Sequence, residues 1–369
     1  MTEIAHVRTE SSRHSTIASQ PAPALPPMTV PARPQAEYAE LKRLVKEQGL
    51  LEKQPLYYTS QILLIGGLLA LSIAALVLID SLWLQLLNAV FLAFVFTQIS
   101  FLGHDACHRQ IFSSARNNNI AGSLFWNLFL GMSNRWFIYR HNRHHAHSNE
   151  LENDPDADLI ILSLSEEQAR SREGELRFLV QYQIYLLPLL SLEMIVLRYA
   201  SFRFLRKPTG GYPAIELPLT ALSILIYLGL PLFLLGAWQG MLFLLVHQLF
   251  FGLYFSSVIA SNHKGMPFWQ EGREHDFLSQ QVLTSRNVAS TPLTDFWYGG
   301  LNFQIEHHLF PNMPRNKLRD AQVIVKRFCK ERSISYCETG LVQSYKDVVQ
   351  ALREVTIAVR DDLPSKQPS

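Results

Sequence analysis

Four stretches free of Asp, Glu, Lys and Arg constrain this chain more than anything else in it: Ile62–Ile79, Leu82–Leu102, Leu217–Leu235 and Trp238–Ile259. At about 1.5 Å per residue, helices of this length approach or cross a hydrocarbon layer of roughly 30 Å. Asp80 and Ser81 separate the first two, and Gly236 and Ala237 the last two, so the expected arrangement is two tight hairpins. Neither connection carries Lys or Arg. Lys42, Arg43, Lys46 and Lys53 precede the first pair, and Arg109 and Arg116 follow it. Arg203, Arg206 and Lys207 precede the second pair, with Lys264 and Arg273 behind it. Positive charge gathers on the cytoplasmic side of membrane proteins, which puts both termini and the central segment in the cytoplasm.

Histidines stand just past the ends of these spans. His104-Asp105-Ala106-Cys107-His108, His141-Asn142-Arg143-His144-His145 and Gln304-Ile305-Glu306-His307-His308 together hold seven of the thirteen in the chain. On a helix, positions i, i+3 and i+4 share a face, so each cluster is expected to present one prong. Imidazole suits Zn, Cu, Fe and Ni, while a structural or hydrolytic zinc takes only three or four ligands. Seven or eight ligands point to a dinuclear site. His104 lies two residues beyond the second span, so that helix is expected to continue out of the membrane carrying His104 and His108. His147 is out of phase with its prong. His247 sits mid-span, where a hydrogen-bonded or pocket-lining role fits better than ligation. His6 and His14 are tail residues, and His275 falls in a surface charge cluster.

The clusters also settle a fifth apolar stretch, Gln181–Ala200, which contains Glu193, Arg198 and Pro188. If it spanned, the third cluster would lie across the membrane from the first. It is therefore expected in the interface or shallowly in one leaflet. Ile120–Met132 is too short to span. The fold expected is an all-α integral membrane protein with four transmembrane helices in two hairpins and a helical cytoplasmic cap holding the metal site.

Residues 1–36, rich in Ser, Thr, Ala and Pro, read as a disordered tail without the apolar core of a secretory signal. Residues 37–60 read as an amphipathic segment, with Tyr38, Leu41, Leu44 and Val45 on one face, lying on the membrane or packed on the soluble part. The membrane domain is placed at 61–315, and cytoplasmic helices and a tail at 316–369. Charged segments dilute the apolar ones to a mean hydropathy of +0.06. A net charge of +2, with Lys and Arg scattered over several loops, gives no support to nucleic-acid binding. Cys107, Cys329 and Cys337 are too few and too scattered for a disulfide framework and fit a reducing compartment.

The three clusters, in this order and lying among hydrophobic spans, resemble the membrane fatty acid desaturases, a non-haem di-iron family with boxes HxxxH, HxxHH and QxxHH. The resemblance runs from about residue 61 to 315. Gln304, opening the third box, resembles the front-end and related acyl-lipid branch, and no His-Pro-Gly-Gly motif of a fused cytochrome b5 occurs in the chain. The resemblance implies two iron ions held by His104, His108, His141, His144, His145, His307 and His308. His263 is implied as a further ligand. Gln304 would bind weakly through its amide oxygen, hold a metal-bound water, or only shape the site. Metal-bound histidines usually give their other N–H to a carboxylate or carbonyl, which makes Asp105, Asp154, Asp156 and Glu306 candidates for that support. Trp136, Trp297 and Tyr298 are candidates for lining a substrate pocket.

The implied activity is O2-dependent desaturation of an acyl chain carried on a lipid or CoA. Electrons would come from a ferredoxin or a separate cytochrome b5 with its reductase, since no haem, flavin or Fe–S motif is present. A hydroxylase or ketolase on the same scaffold is the nearest alternative. A membrane zinc protease would need Glu where Asp105 stands, and a metal transporter would need its site near the bilayer midplane.

Overall fold

The structure is a computed structural model that describes residues 34–157, 162–206, 215–269 and 276–361. The expected tails before residue 34 and after 361, together with His6, His14 and His275, lie outside the described residues. α1 (Pro34–Glu47) precedes α2 (Pro55–Leu78) and α3 (Leu82–Cys107). α4 (Ala115–Gly122) continues as a π-helical turn over Ser123–Phe129 and is followed by α5 (Asn134–Ala146). Short α6 (Glu166–Ser171) and α7 (Gly174–Val180), a 3-10 stretch Leu187–Leu192 and α8 (Glu193–Leu205) lead into α9 (Glu216–Leu235) and α10 (Ala237–His263). Then come α11 (Phe277–Leu283), α12 (Pro292–Trp297), α13 (Gln304–Leu309), α14 (Leu318–Glu331) and α15 (Leu341–Asp361). A parallel pairing of β1 (Asn287–Val288) with β2 (Glu338–Thr339), Asn287 opposite Glu338, ties the last third together.

Among the described residues, α2, α3, α9 and α10 are long and apolar enough to cross a membrane, making the chain an integral multi-pass membrane protein. α3 and α10 pack on each other at the centre, with α2 beside α3 and α9 beside α10. Leu63, Leu71, Leu225 and Phe233 on the outer pair stand bare, as lipid-facing side chains do. A bilayer offers no water to backbone groups at helix ends, so they need protein partners. Gln85 supplies one: its amide donates to the carbonyls of Ala75 (2.9 Å), Leu76 (3.3 Å) and Ile79 (2.6 Å), closing the end of α2. Between α9 and α10 the chain turns at Gly236, whose φ of 79° a side chain would resist.

Several boundaries differ from the sequence reading. α1 begins at Pro34, inside the stretch assigned to the tail, because proline fits the first helical turn, where its missing N–H would have no partner anyway. α1 takes the second of its two alternatives. Leu41 and Val45 are fully buried with Leu278, Val282, Leu309 and Val325 in a core shared with α11, α13 and α14. α2 starts at Pro55 rather than near residue 62. Its first turn is anchored outside the apolar run, Tyr58 donating to Gln110 Oε1 (2.8 Å) and Tyr57 accepting from Arg315 (3.0 Å).

The fifth apolar stretch is no continuous helix. It runs through turns and the 3-10 segment around Pro188 before α8 begins at Glu193, and it packs along α10. The contact is close enough that a Cβ on Gly252 would overlap the Ser191 carbonyl. Gly252→Ala should therefore lower stability by about 1–3 kcal/mol, the usual cost of overpacking. A thermal melt of the detergent-solubilised protein reads this, and an unchanged midpoint would mean that the 3-10 segment does not seat on α10.

Candidate metal centre

Two of the helices that enter the apolar layer also deliver histidines beyond it. α3 carries His104 and ends with His108 at its cap, and α10 ends on His263. α5 brings His141, His144 and His145, and the short α13 brings Gln304, His307 and His308. The rings gather into two groups. His104, His108, His141, His145 and His307 place ring nitrogens within 4.8 Å of one another, and His144, His263 and His308 do the same. The first cluster keeps its single prong, His104 and His108 both joining the larger group, whereas the prongs expected of the second and third clusters divide. Consecutive residues on a helix point about 100° apart, so His144 turns to one group and His145 to the other, as do His308 and His307. Each doubled histidine spans both groups, which keeps the groups adjacent.

The smaller group is the more tightly oriented. His144 Nδ1 lies 2.9 and 3.0 Å from the two Asp154 oxygens, His263 Nδ1 3.1 Å from the Thr284 carbonyl, and His308 Nδ1 2.7 Å from Gln281 Oε1. Each of these oxygens accepts, so each Nδ1 carries the proton and Nε2 is left as a lone pair aimed inward. The inward nitrogens approach closely: His263 to His308 3.1 Å, His145 to His141 3.2 Å and His307 to His145 3.1 Å. Metal–nitrogen bonds of about 2.0–2.1 Å put neighbouring ligands at about this spacing. His104 Nε2 and His108 Nε2 are buried and have no hydrogen-bond partner among the described residues. Orphaned, converging ring nitrogens of this kind fit metal ions.

Burial, reinforced by neighbouring rings, holds His108, His141, His145, His307 and His308 well below the ordinary histidine pKa, so these imidazoles are neutral and ready to ligate. His144 differs. Burial disfavours its charge, but Asp154 and Asp156 outweigh burial and raise its pKa. Asp154 is held below the usual carboxylate range despite its own burial, because His144 faces it.

The proposed supporting residues separate into those that reach the rings and those that do not. Asp154 does. Asp156 is 3.7 Å from His144 Nδ1 and pairs with Arg140 at 2.7 Å. Asp105 is 3.4 Å from the ring of His104, too long for a good hydrogen bond, and 3.3 Å from Arg315. Glu306 points away from both groups, which corrects its assignment as a support of the histidines. One residue before His307, it faces the opposite side of α13, where its carboxylate accepts from Asn287 (2.7 Å) and Tyr336 (2.7 Å). Burial raises its pKa to about 7. Gln304 stands beside the smaller group with Nε2 2.9 Å from His263 Nε2, while its Oε1 accepts from Asn262 at 2.9 Å. Direct ligation through oxygen would require the amide to turn over and give up Asn262. His147 bonds Glu150 at the surface (2.8 Å), and His247 of α10 bonds Tyr227 of α9 (2.8 Å), so neither joins a group.

A largely apolar cavity opens from His104, His141, His144 and His263 toward Trp136, Phe137 and Phe255. Trp136 lines it. Trp297 and Tyr298 do not: Trp297 stacks on Tyr254 at 4.1 Å, and Tyr298 is buried against Ser261 (3.0 Å) and Tyr345 (3.3 Å). Their aromatic bulk wedges α12 against α3 and α10. Gln281 and Thr284, which orient His308 and His263, went unnoticed in the sequence, where the polar run 279–287 looks like surface but is entirely buried. Arg140, Glu193 and Lys264 put charge on the cavity wall; the sequence singled out Glu193 and Lys264 only for their bearing on membrane topology, and Arg140 not at all.

Comparison with known proteins adds an independent finding. The family described as "Fatty acid desaturase" matches residues 81–340. The chain is 28% identical over 337 residues to an acyl-lipid (9-3)-desaturase of Physcomitrium patens, the match covering 88% of this chain and 63% of that protein. It is thus similar to less than two thirds of that relative's length. It is 27% identical over 363 residues to a Delta(8)-fatty-acid desaturase of Euglena gracilis, covering 94% of this chain and 83% of the relative. The Delta(6)-fatty-acid desaturase fat-3 of Caenorhabditis elegans is 27% identical over 334 residues, with 86% and 74% covered.

Asp154→Asn should weaken metal retention by about 10- to 100-fold, the usual cost of removing a histidine's supporting carboxylate. Metal per chain after titration with a chelator measures this, and retention equal to the parent would exclude the role. The metal-free protein should also lose stability in acid. The buried imidazoles have depressed pKa values, so the unfolded chain takes up more protons below the ordinary histidine value of about 6.5. Stability is then full above about pH 6.5 and declines as pH falls below it. Thermal midpoints of chelator-treated protein across that range would show a decline, whereas a flat profile would mean the rings are not buried.

Proposed function

The chain belongs to the fatty acid desaturase family, and on that premise we propose that it is an O2-dependent desaturase placing a cis double bond in a membrane-associated acyl chain. The observation that carries this reading is the convergence of imidazoles in groups of five and three at the end of an apolar cavity. In this reading His104, His108, His141, His145 and His307 hold one iron ion. His144, His263 and His308 hold the second, with Gln304 beside it. When bound, the two irons would supply redox chemistry between Fe2+ and Fe3+, by which O2, two electrons and two protons, together with one hydrogen from each of two neighbouring methylenes, would give the double bond and two waters.

The protein's own residues prepare that chemistry. Asp154, Thr284 and Gln281 take the outer N–H of His144, His263 and His308, so the inner nitrogens need no rearrangement to bind. Glu306 and Asn287 brace α13 from behind, Asn287 Oδ1 accepting from the Ile305 amide at 2.9 Å. Trp136, Phe137 and Phe255 make the adjoining wall dry and apolar, the surface an alkyl chain prefers. Because α3 and α10 carry histidines out of the membrane, the chain can pass from lipid to site along packed helices.

In this reading the two electrons are delivered by a partner rather than by the cysteines of this chain. Cys107, Cys329 and Cys337 are separate and free, whereas an Fe–S cluster takes four ligands. A ferredoxin or a separate cytochrome b5 with its reductase fills that role. The distribution of Lys and Arg supports two hairpins with both termini, the helical cap and the site on the cytoplasmic side. The names of the relatives, and Gln304 opening the third box, support an acyl-lipid substrate with the double bond toward the carboxyl end.

Cells expressing the chain with a compatible electron donor should contain a new unsaturated fatty acid, its double bond located by derivatisation and mass spectrometry. A His144→Ala, His145→Ala double variant, which removes one ligand from each group, should abolish it. A hydroxy acid instead would move the assignment to a hydroxylase, and a product that survives the double variant would remove the metal centre from the chemistry.

A further inference from the structure

We propose that α15 is the selectivity wall of the cavity, with Val348 and Leu352 setting the length and shape of the alkyl chain accepted; this rests on the reading that the cavity takes an acyl chain. The two side chains, four residues apart, share a face of α15, are buried (6% and 3% exposed), and line the cavity together with residues of α10 and the 3-10 segment such as Ile259, Leu187 and Leu190. Nothing in their position serves the histidines. They contribute only apolar surface, and a wall of that kind discriminates by volume.

A wall must be rigid to discriminate, and α15 is pinned on both sides. The Asp347 carboxylate pairs with Arg286 (3.0 Å), a buried guanidinium that also donates to the carbonyls of Ser261 (2.8 Å) and Lys264 (2.7 Å) at the end of α10. Gly265, at φ 80°, lets the chain pass so close beneath α15 that a Cβ there would lie 3.1 Å from the Asp347 carbonyl. On the other flank, Gln183 donates to the Leu352 carbonyl (3.1 Å) and Thr356 to that of Val180 (3.4 Å). The wall is thus clamped to the residues that follow His263.

α15 spans Leu341–Asp361, whereas the desaturase family match ends at residue 340 and contains every histidine of the two groups. The metal-bearing part and this wall are separate stretches of sequence. Side chains at 348 and 352 can therefore change without altering any residue that reaches the ring nitrogens. One methylene of fit in an apolar pocket is worth roughly 10- to 200-fold in discrimination, so these two positions are sufficient to shift preference between chain lengths.

The test has two arms. In the first, purified full-length protein is irradiated with palmitic acid bearing a diazirine at mid-chain or at its end, then digested with trypsin. Cleavage after Lys346 and Arg353 puts both side chains on one peptide, residues 347–353. Adducts on that peptide, displaced by excess palmitic acid, are expected; adducts found only on other peptides would overturn the proposal. In the second arm, cells expressing the parent, Leu352→Phe or Val348→Ala are supplied with fatty acids differing by two carbons, and iron content confirms that each variant is folded. Leu352→Phe should shift the product ratio toward shorter chains, and Val348→Ala toward longer or bulkier ones, each by about 10-fold. An unchanged ratio in both folded variants would overturn it. If the parent yields no unsaturated acid, the desaturase reading fails, and the crosslinking arm still decides whether α15 walls an alkyl site.

Discussion

Eight imidazoles, all buried except the half-buried His141, are packed against one another, and among the described residues Asp154 is the one carboxylate closely bonded to any of their rings. Ring nitrogens such as those of His145 and His307 face each other at 3.1 Å and cannot all find hydrogens to share. In water that arrangement would relax by solvation; in a closed interior it persists only if the rest of the protein holds it, or if cations occupy it. The surroundings are built for the first task. Asp154, Gln281 and the Thr284 carbonyl each take the outer hydrogen of one ring, so the inward lone pairs are a consequence of outward bonds. The acceptors come from outside the histidine clusters in sequence, and the buried polar run 279–287 provides two of them, the Gln281 side chain and the Thr284 main-chain carbonyl.

The membrane supplies the second constraint. A helix that crosses a bilayer satisfies its backbone internally, and once formed it is a stiff rod that can project beyond the lipid. α3 and α10 use this stiffness: the helices that pack together in the apolar layer end on His104, His108 and His263. The rest of the chain then only has to bring α5 and α13 to those ends. It does so around the core of α1, α11, α13 and α14, and Arg315 joins it to the membrane half through Tyr57 and Asp105. The cavity lies where these two halves meet, which is why its wall contains aromatic rings from α5, apolar side chains from the 3-10 segment and part of α15.

The sequence alone determined the number of apolar helices but not where each begins, because a run of some twenty residues without charge has few other stable states next to a bilayer, whereas the polar first turn of α2 is fixed by its contacts with Gln110 and Arg315. It also made the three histidine clusters legible, since i, i+3 and i+4 spacing is a property of the helix and needs no tertiary information. The amphipathic faces of α1 and α14 could be read the same way, through Leu41 and Val45 or Leu318 and Val325. Tertiary structure alone decided which histidine joined which group. His144 and His145 are neighbours in the chain and diverge because of the angle between adjacent helical residues, and only the placement of α13 and α10 gives each a partner set. Glu306 and Tyr298 turned away from the site for a related reason: a residue type states what chemistry a side chain can do, but its direction is set by the helix it sits on and by what that helix packs against. Gln281, Thr284 and Val348 serve the site or its cavity from far along the chain, and no local pattern marks them, because their roles arise only when distant segments are packed together.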